Sequence, residues 1–424
     1  MQRLQLHGAL PPERDFLVAK SGEQRVRAAI ETERGYDEDL WRQMAEQLSL
    51  PGLALPEEYG GDGFTFTELQ VVLEELGRTL TPSPLFASVV LAAGAILATG
   101  DELAAQAYLP GIASGKTTAT LAVAEAAGLW SFDELTTTAR PAGGSSTNAD
   151  TNAGTGVGTD AVTDVGTAGV GSWLLTGTKQ FVLHGATADL LIVAAHTEEG
   201  PAFFAVQPGS PASSTVNDAV NRSRDGMVGR ASTTRSTLTR TALKTLDLTR
   251  PMATLQFTDT PATLIGAPGT ADRALDAVLD RAMTALAAEQ AGAARACLEA
   301  SAAYARERHQ FGRPIGSFQA VKHKCADMLV KVELAQAAAT EAARAAAGDP
   351  DAAPLPQAAA VAHAVCSESL MFVAAENIQV HGGIGFTWEH PAHLYFRRAK
   401  ASQLMFGGPG FYFEHLLRRS GLGQ

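Results

Sequence analysis

A chain of 424 residues with 46% apolar residues can fill two or three hydrophobic cores rather than one. Its formal net charge of −12, from 33 basic and 45 acidic residues, argues against a general nucleic-acid binder. The three cysteines, Cys297, Cys325 and Cys366, are unclustered within apolar helical patterns, which points to reduced thiols in a cytoplasm and no zinc site.

The N-terminus, MQRLQLHGALPPERDF, lacks the apolar run of a signal peptide. Asp39 to Leu48 sets Leu40, Trp41, Met44, Ala45 and Leu48 on one helical face, and Leu50 to Gly63 is turn-rich. Thr65-x-x-Glu68 is a capping box ahead of Phe66, Leu69, Val72, Leu73, Leu76 and Leu80, and Pro82 and Pro84 end that helix. The longest apolar stretch, Leu85 to Gly100, is interrupted by Ser88, Gly94 and Thr99 and falls short of the ~20 residues of a membrane span, so no membrane partner is expected.

Near Thr118 the texture changes. Thr118–Val123, Ser172–Leu183, Ala188–Ala195, Ala202–Val206 and Met252–Phe257 read as strands, followed by a turn at Asp259 to Pro261. Two segments interrupt them. Residues 142–171 are rich in Gly, Thr, Asp and Asn and read as a flexible loop or an ordered adhesion element. Residues 210–244 carry Arg222, Arg224, Arg230, Arg235, Arg240 and Lys244, a solvated loop or a docking patch for an acidic partner or a phosphorylated carrier. From Thr270 the pattern is helical again: Asp272–His309, Phe318–Ala347 and Pro356–Gln379 are long, Pro391–Ala401 and Phe411–Arg419 short. The division is an α-helical domain over 1–119, a β domain over 120–262 and a helical bundle over 263–424.

Two stretches stand out within this frame. Tyr304 to Asp327 is a helix broken by Gly312 and Pro314, with Arg308 and Gln310 at the break, where a polar cofactor can be met. Gln379 to Lys400 opens on Gly382 and Gly383, which let a backbone approach a bound group. His390 and His393 follow Glu389, but Pro391 breaks the helix between them and no third ligand cluster accompanies them, so they read as structural.

The R-x-x-F-G turn (Arg308 to Gly312), the later Q-x-x-G-G (Gln379 to Gly383) and the N-terminal PEEYGG with VVLEELGR resemble the acyl-CoA dehydrogenase family. HGGIGFTWEHPAHLYFRRAK is similar to an actinobacterial branch acting on bulky, sterol-type acyl-CoAs, some members of which are heteromers with one base-lacking subunit. The resemblance implies an α+β fold: an N-terminal α-helical domain, a middle β-barrel domain and a C-terminal four-helix bundle. It implies FAD as cofactor and an acyl-CoA or acyl-carrier thioester as substrate. It admits an electron-transfer flavoprotein as acceptor and a homo- or hetero-oligomer, the family being tetrameric. By the same resemblance Arg308, Gln310, Phe311 and Gln319 meet the pyrophosphate and adenosine half of FAD. Gln379, Val380, Gly382 and Gly383 reach FAD across a subunit interface. Phe181, Val182 and Leu183 match the strand beside the isoalloxazine, and Val123, Ala124 and Glu125 match the strand end where the family reads V-T-E, Val123 and Ala124 as further cofactor contacts.

The departures concern the chemistry. A carboxylate must take the weakly acidic α-proton of the thioester. Aligning on Ala399-Lys400 puts Phe406 where many members have Glu, and counting back from Arg308 to the alternative helix position lands on Ala282. The neighbouring acids are Asp280, about 200° away around the helix, and Glu289, about 10 Å along it on nearly the same face. Three readings therefore stand: a dehydrogenase with a displaced base, a non-catalytic subunit of a heteromeric dehydrogenase, or a flavin oxygenase or oxidase acting on a biosynthetic thioester.

Overall fold

The structure, a computed structural model, describes residues 12–142, 172–208 and 237–419. It opens with α1 (Pro12–Lys20), α2 (Glu23–Ile30) and α3 (Glu38–Leu48), the last capped by the Asp37 carboxylate, which accepts from the Leu40 amide. The Thr65–Glu68 capping box forms as expected at the head of α4 (Phe66–Thr79). After Pro82 and Pro84 the chain winds into a wide π-helical segment, Phe86–Ala93, continues as α5 (Gly94–Thr99), and turns into α6 (Glu102–Ala113). Trp41, Met44, Leu73, Leu91 and Ile96 bury the inner faces of these helices in a shared core.

Seven strands follow: β1 (Ala119–Ala122), β2 (Thr138–Pro141), β3 (Ser172–Leu183), β4 (Leu190–Thr197), β5 (Gly200–Val206), β6 (Leu238–Ala242) and β7 (Met252–Ile265). The pairings β4–β2, β2–β3, β3–β7, β7–β5 and β5–β4 return to their starting strand, so the sheet closes into the expected barrel. Phe204, Val193, Leu255 and Phe257 fill its interior.

Two expectations are corrected here. Asp259 to Pro261 is not a turn: β7 runs through it with a bulge against β3, and Asp259 takes φ 47°, held by Arg140 at 2.9 Å and by the Thr176 hydroxyl accepting its amide. Nor is 210–244 wholly a loop, because its end forms β6 on the edge of β7. Arg240, expected on a docking patch, instead donates to the Ala188 carbonyl at 2.8 Å. The polar run Thr239–Thr241 hides this strand from pattern reading, because an edge strand needs only its backbone and one inward residue, Leu238. Residues 143–171 and 209–236, and with them Arg222, Arg224, Arg230 and Arg235, lie outside the described residues. Strand β2, which pairs with β3, falls in a stretch that shows no strand pattern.

The C-terminal part is a helical bundle. Helix α7 (Ala271–Glu307) leads through the hairpin β8 (His309–Gln310) and β9 (Arg313–Pro314) into α8 (Gln319–Ala346), then α9 (Leu355–His381), α10 (Ala392–Leu404) and α11 (Gly408–Arg419). Among the described residues the longest apolar helical stretch is Leu355–Phe386, not Leu85–Gly100. By length and composition it passes as a membrane span, and 61% of its most apolar window is buried against neighbouring helices. Alanines on α7, α8 and α9 form one of the seams, with Ala287, Ala335 and Ala362 fully buried.

Helices α4 and α7 touch through paired glycines. A Cβ on Gly77 would run into the Glu289 carbonyl oxygen, and one on Gly292 into that of Glu74. Gly292→Ala should therefore destabilise the protein by about 1–3 kcal/mol despite alanine's better helix propensity, because backbone on both sides must move. A urea midpoint equal to wild type would show that the helices do not approach this closely.

Candidate active site

The end of β1 and the end of β3 are tied together beneath the barrel rim. The Gln180 amide donates to the Ala124 carbonyl at 2.8 Å, so Val123 and Ala124 lie beside Phe181, Val182 and Leu183. Phe181 takes φ 57° at a bulge between Lys179 and Val182, which turns its ring outward; it is 43% exposed, whereas Val123, Ala124, Val182 and Leu183 are buried. Under this strip Lys179 is completely buried. Its ammonium donates to the Val123 carbonyl at 3.0 Å and to Glu125 at 2.8 Å. Glu125 also accepts from the amides and hydroxyls of Thr136 and Thr137. Burial pulls Lys179 down to about 8 against the attraction of Glu125. For Glu125 burial works upward, but the Lys179 ammonium and the two threonine hydroxyls outweigh it and hold the carboxyl at about 2. Glu125 and Lys179 belong to matched motifs in the sequence, yet their pairing across more than fifty residues left no local signal.

The second group of expected residues sits at one end of the bundle. Arg308, Gln310, Phe311 and Gln319 are exposed on and just after the β8–β9 hairpin, with Phe311 91% exposed. Gln379, Gly382 and Gly383 are exposed at the end of α9, while the Val380 side chain is buried, so that residue presents no side chain to a ligand. The two stretches meet where Tyr304 of α7 packs on His381 of α9, ring centroids 4.4 Å apart. Gly382 takes φ 63°, and a Cβ at Gly382 or Gly383 would meet nothing within 4 Å, so open space lies over this backbone. His390 stacks on His381 at 4.2 Å and accepts the Ala392 amide; Trp388 lies edge-on to His393.

The position aligned with the family's base is an aromatic box. Phe406 is 1% exposed at φ 60°, 4.9 Å edge-on from Trp130 and 6.2 Å stacked on Phe86. Glu289 is buried beyond Phe86 and bound by two guanidiniums: Arg250 pairs with it directly, and Arg398 lies 3.5 Å away. Arg250 also stands over the Phe86 ring at 5.4 Å. Asp247 completes the cluster by accepting from Arg398 at 2.7 Å. Burial would raise the Asp247 carboxyl, but Arg398, Arg250 and Thr249 hold it below its ordinary value. Arg250 is pushed well below the usual guanidinium value by burial and by Arg398, against the pull of Asp247. The space left beside Phe86, Arg250 and Glu289 is about 10 Å³, room for at most a single water. His184, buried against it with Nδ1 unpaired, is lowered to about 4 by burial and by Arg250. Asp280 is buried on α7. Of this cluster the sequence reading had singled out only Phe406 and Glu289. Asp247 and Arg250, Arg398, Phe86 and Trp130 come from four separate segments, and a charged residue within an alanine run at Glu289 is the one available clue.

Residues 14–116 match the family model for the acyl-CoA dehydrogenase N-terminal domain, and residues 271–419 that for the C-terminal domain. The chain is 34% identical over 405 residues to acyl-CoA dehydrogenase IpdE2 of Mycobacterium tuberculosis, covering 95% of this chain and 92% of that one. Among solved structures it is similar to a Tcur3481-Tcur3483 steroid ACAD variant, at 31% identity and TM-score 0.75 over 97% of each chain. It is also similar to the ChsE4-ChsE5 complex from Mycobacterium tuberculosis, at 28% identity and TM-score 0.75 over 96% and 95%. Relatives of this kind are FAD-dependent flavoproteins, oxidoreductases acting on CH–CH groups. Matches to both terminal-domain models, and a relative more than 30% identical along nearly the whole chain, make this protein a member of the acyl-CoA dehydrogenase family.

Proposed function

We propose that this protein takes part in the α,β-dehydrogenation of an acyl thioester as the subunit of a heteromeric, FAD-dependent dehydrogenase that does not supply the proton acceptor. The observation that carries this reading is the state of the two base positions: one is filled by the Phe86–Trp130–Phe406 box, and Glu289, the α7 acid on nearly the same face as the other, is bound between Arg250 and Arg398. A ring cannot accept a proton, and the Glu289 Oε2 is taken up by the two guanidiniums.

The residues present fit a flavin. The outward Phe181 ring and the backbone of Val182–Leu183 and Val123–Ala124 form one flank for its ring system. Arg308 offers a fork for a pyrophosphate. The amides of Gln310, Gln319 and Gln379 and the exposed Phe311 ring suit the adenosine half. The open backbone at Gly382 and Gly383 lets a neighbouring subunit's cofactor approach. FAD, when bound, supplies the two-electron acceptor for the β-hydrogen. The two-chain steroid dehydrogenase relatives support the heteromeric reading, and an electron-transfer flavoprotein is the acceptor it would use.

The test is co-expression with a second dehydrogenase subunit that carries a base. The complex should be yellow and its flavin should bleach with a suitable acyl-CoA, whereas the lone chain should react about 10²–10⁴-fold more slowly. Full activity of the lone chain would overturn the subunit assignment, and absence of flavin from both forms would overturn the whole reading.

A further inference from the structure

Beside the π-helical segment that carries Phe86 lies a second cavity, of about 390 Å³, between that segment, α4 and α7. Its walls include Leu55, Phe66, Val90 and Leu97, and Arg281 is the one charged residue among those lining it. The volume lies within the range of small-molecule sites. At roughly 30 Å³ per water-sized group it admits about a dozen non-hydrogen atoms.

Three features mark this space as built rather than left over. Gly94 lines it in ordinary helical geometry, φ −56° and ψ −42°, where any side chain is tolerated and glycine is unfavourable in a helix. A Cβ there would meet nothing within 4 Å, so the glycine keeps space open. The π-helical turns that precede it, Phe86–Ala93, are rare and cluster at functional sites. Arg281 is exposed at the edge of the cavity, and its guanidinium has no hydrogen bond or ion pair to a described residue.

We propose that this cavity binds an apolar chain ending in a carboxylate, with the chain between Val90 and Phe66 and the carboxylate on Arg281. An apolar chain gains by leaving water, and the planar fork of an arginine matches a carboxylate with two parallel hydrogen bonds. The carboxylate arrives either as a free acid or as the far end of the acyl group whose thioester the proposed function addresses. Only the second source rests on that function.

The probe is decanoate, measured by equilibrium dialysis against the purified full chain, alone and with its partner subunit. Saturable binding is expected. Arg281→Gln should weaken it about 10–100-fold, the worth of a charge-assisted hydrogen-bonded pair, and decanol should be weaker by a similar factor. Gly94→Leu, which fills the cavity, should abolish binding with circular dichroism and melting unchanged. The absence of saturable binding, or equal binding by wild type and both variants, overturns the proposal. Competition distinguishes the sources. If the CoA monothioester of decanedioic acid displaces decanoate and decanoyl-CoA does not, the carboxylate is the terminus of an acyl group. If neither displaces it, the site takes a free acid. Dialysis needs no turnover, so failure of thioester oxidation leaves this result standing, and failure of decanoate binding leaves the dehydrogenase reading standing.

Discussion

Glu125→Gln is expected to lower stability by about 3–5 kcal/mol, because it strips a fully buried ammonium of its counter-charge. Lys179 has no exposed surface, and without the Glu125 carboxylate its remaining partner among the described residues is the Val123 carbonyl. The same pair sets an acid limit. The Glu125 carboxyl falls from 4.5 in the unfolded chain to about 2 in the folded one, a difference of about 3 kcal/mol. A group whose folded value is depressed stabilises fully above its unfolded value, so this contribution is complete above pH 4.5 and is lost as pH falls towards 2. Melting curves between pH 6 and 2.5 should show wild type losing its advantage over Glu125→Gln. The double variant Glu125→Gln/Lys179→Met, which removes both charges, should recover part of the loss. The strip from Val123 to Ala124 is held by this pair, so Glu125→Gln should also release FAD more readily from the assembled enzyme. Equal melting of wild type and Glu125→Gln at pH 6 would contradict the pairing.

Glu289→Gln is expected to cost a similar 3–5 kcal/mol, and here the experiment also decides between two functions. In the structure the carboxylate neutralises Arg250 and Arg398, both about 5% exposed, with Asp247 the remaining anion of the cluster. Removing one negative charge leaves two buried guanidiniums facing one carboxylate. The protein should melt lower, and wherever it stays folded with its partner the flavin should still be reduced by thioester. A variant that melts like wild type and keeps FAD, but no longer reduces it, would make Glu289 the displaced base and end the subunit reading. Comparing melting with single-turnover reduction separates a structural acid from a proton acceptor.

The sequence by itself determined the α, then β, then α division of the chain and the family. Helix caps, proline stops and hydrophobic periods are local, and local signals placed α4 within its capping box and the bundle helices to within a few residues. The motifs at Arg308–Gly312 and Gln379–Gly383 were legible for the same reason: each is a contiguous stretch of backbone, with Gly312 and Gly382 at positive φ. Strand β6 was not legible, because an edge strand is defined by the neighbour it pairs with. The bulge at Asp259 was read as a turn because both use the same residue types, and only pairing with β3 tells them apart. The fate of the acids was settled by the tertiary structure alone. Glu289 looked available on a one-dimensional helix, one face and two turns from the expected position. In three dimensions Arg250 arrives from the end of the barrel and Arg398 from α10, and they claim it. Phe406 could be seen in the sequence to lack a proton acceptor. That the space around it is closed by Phe86 and Trp130 depends on three segments converging, because electrostatic and packing partners are chosen by distance in space and leave no periodicity in the chain.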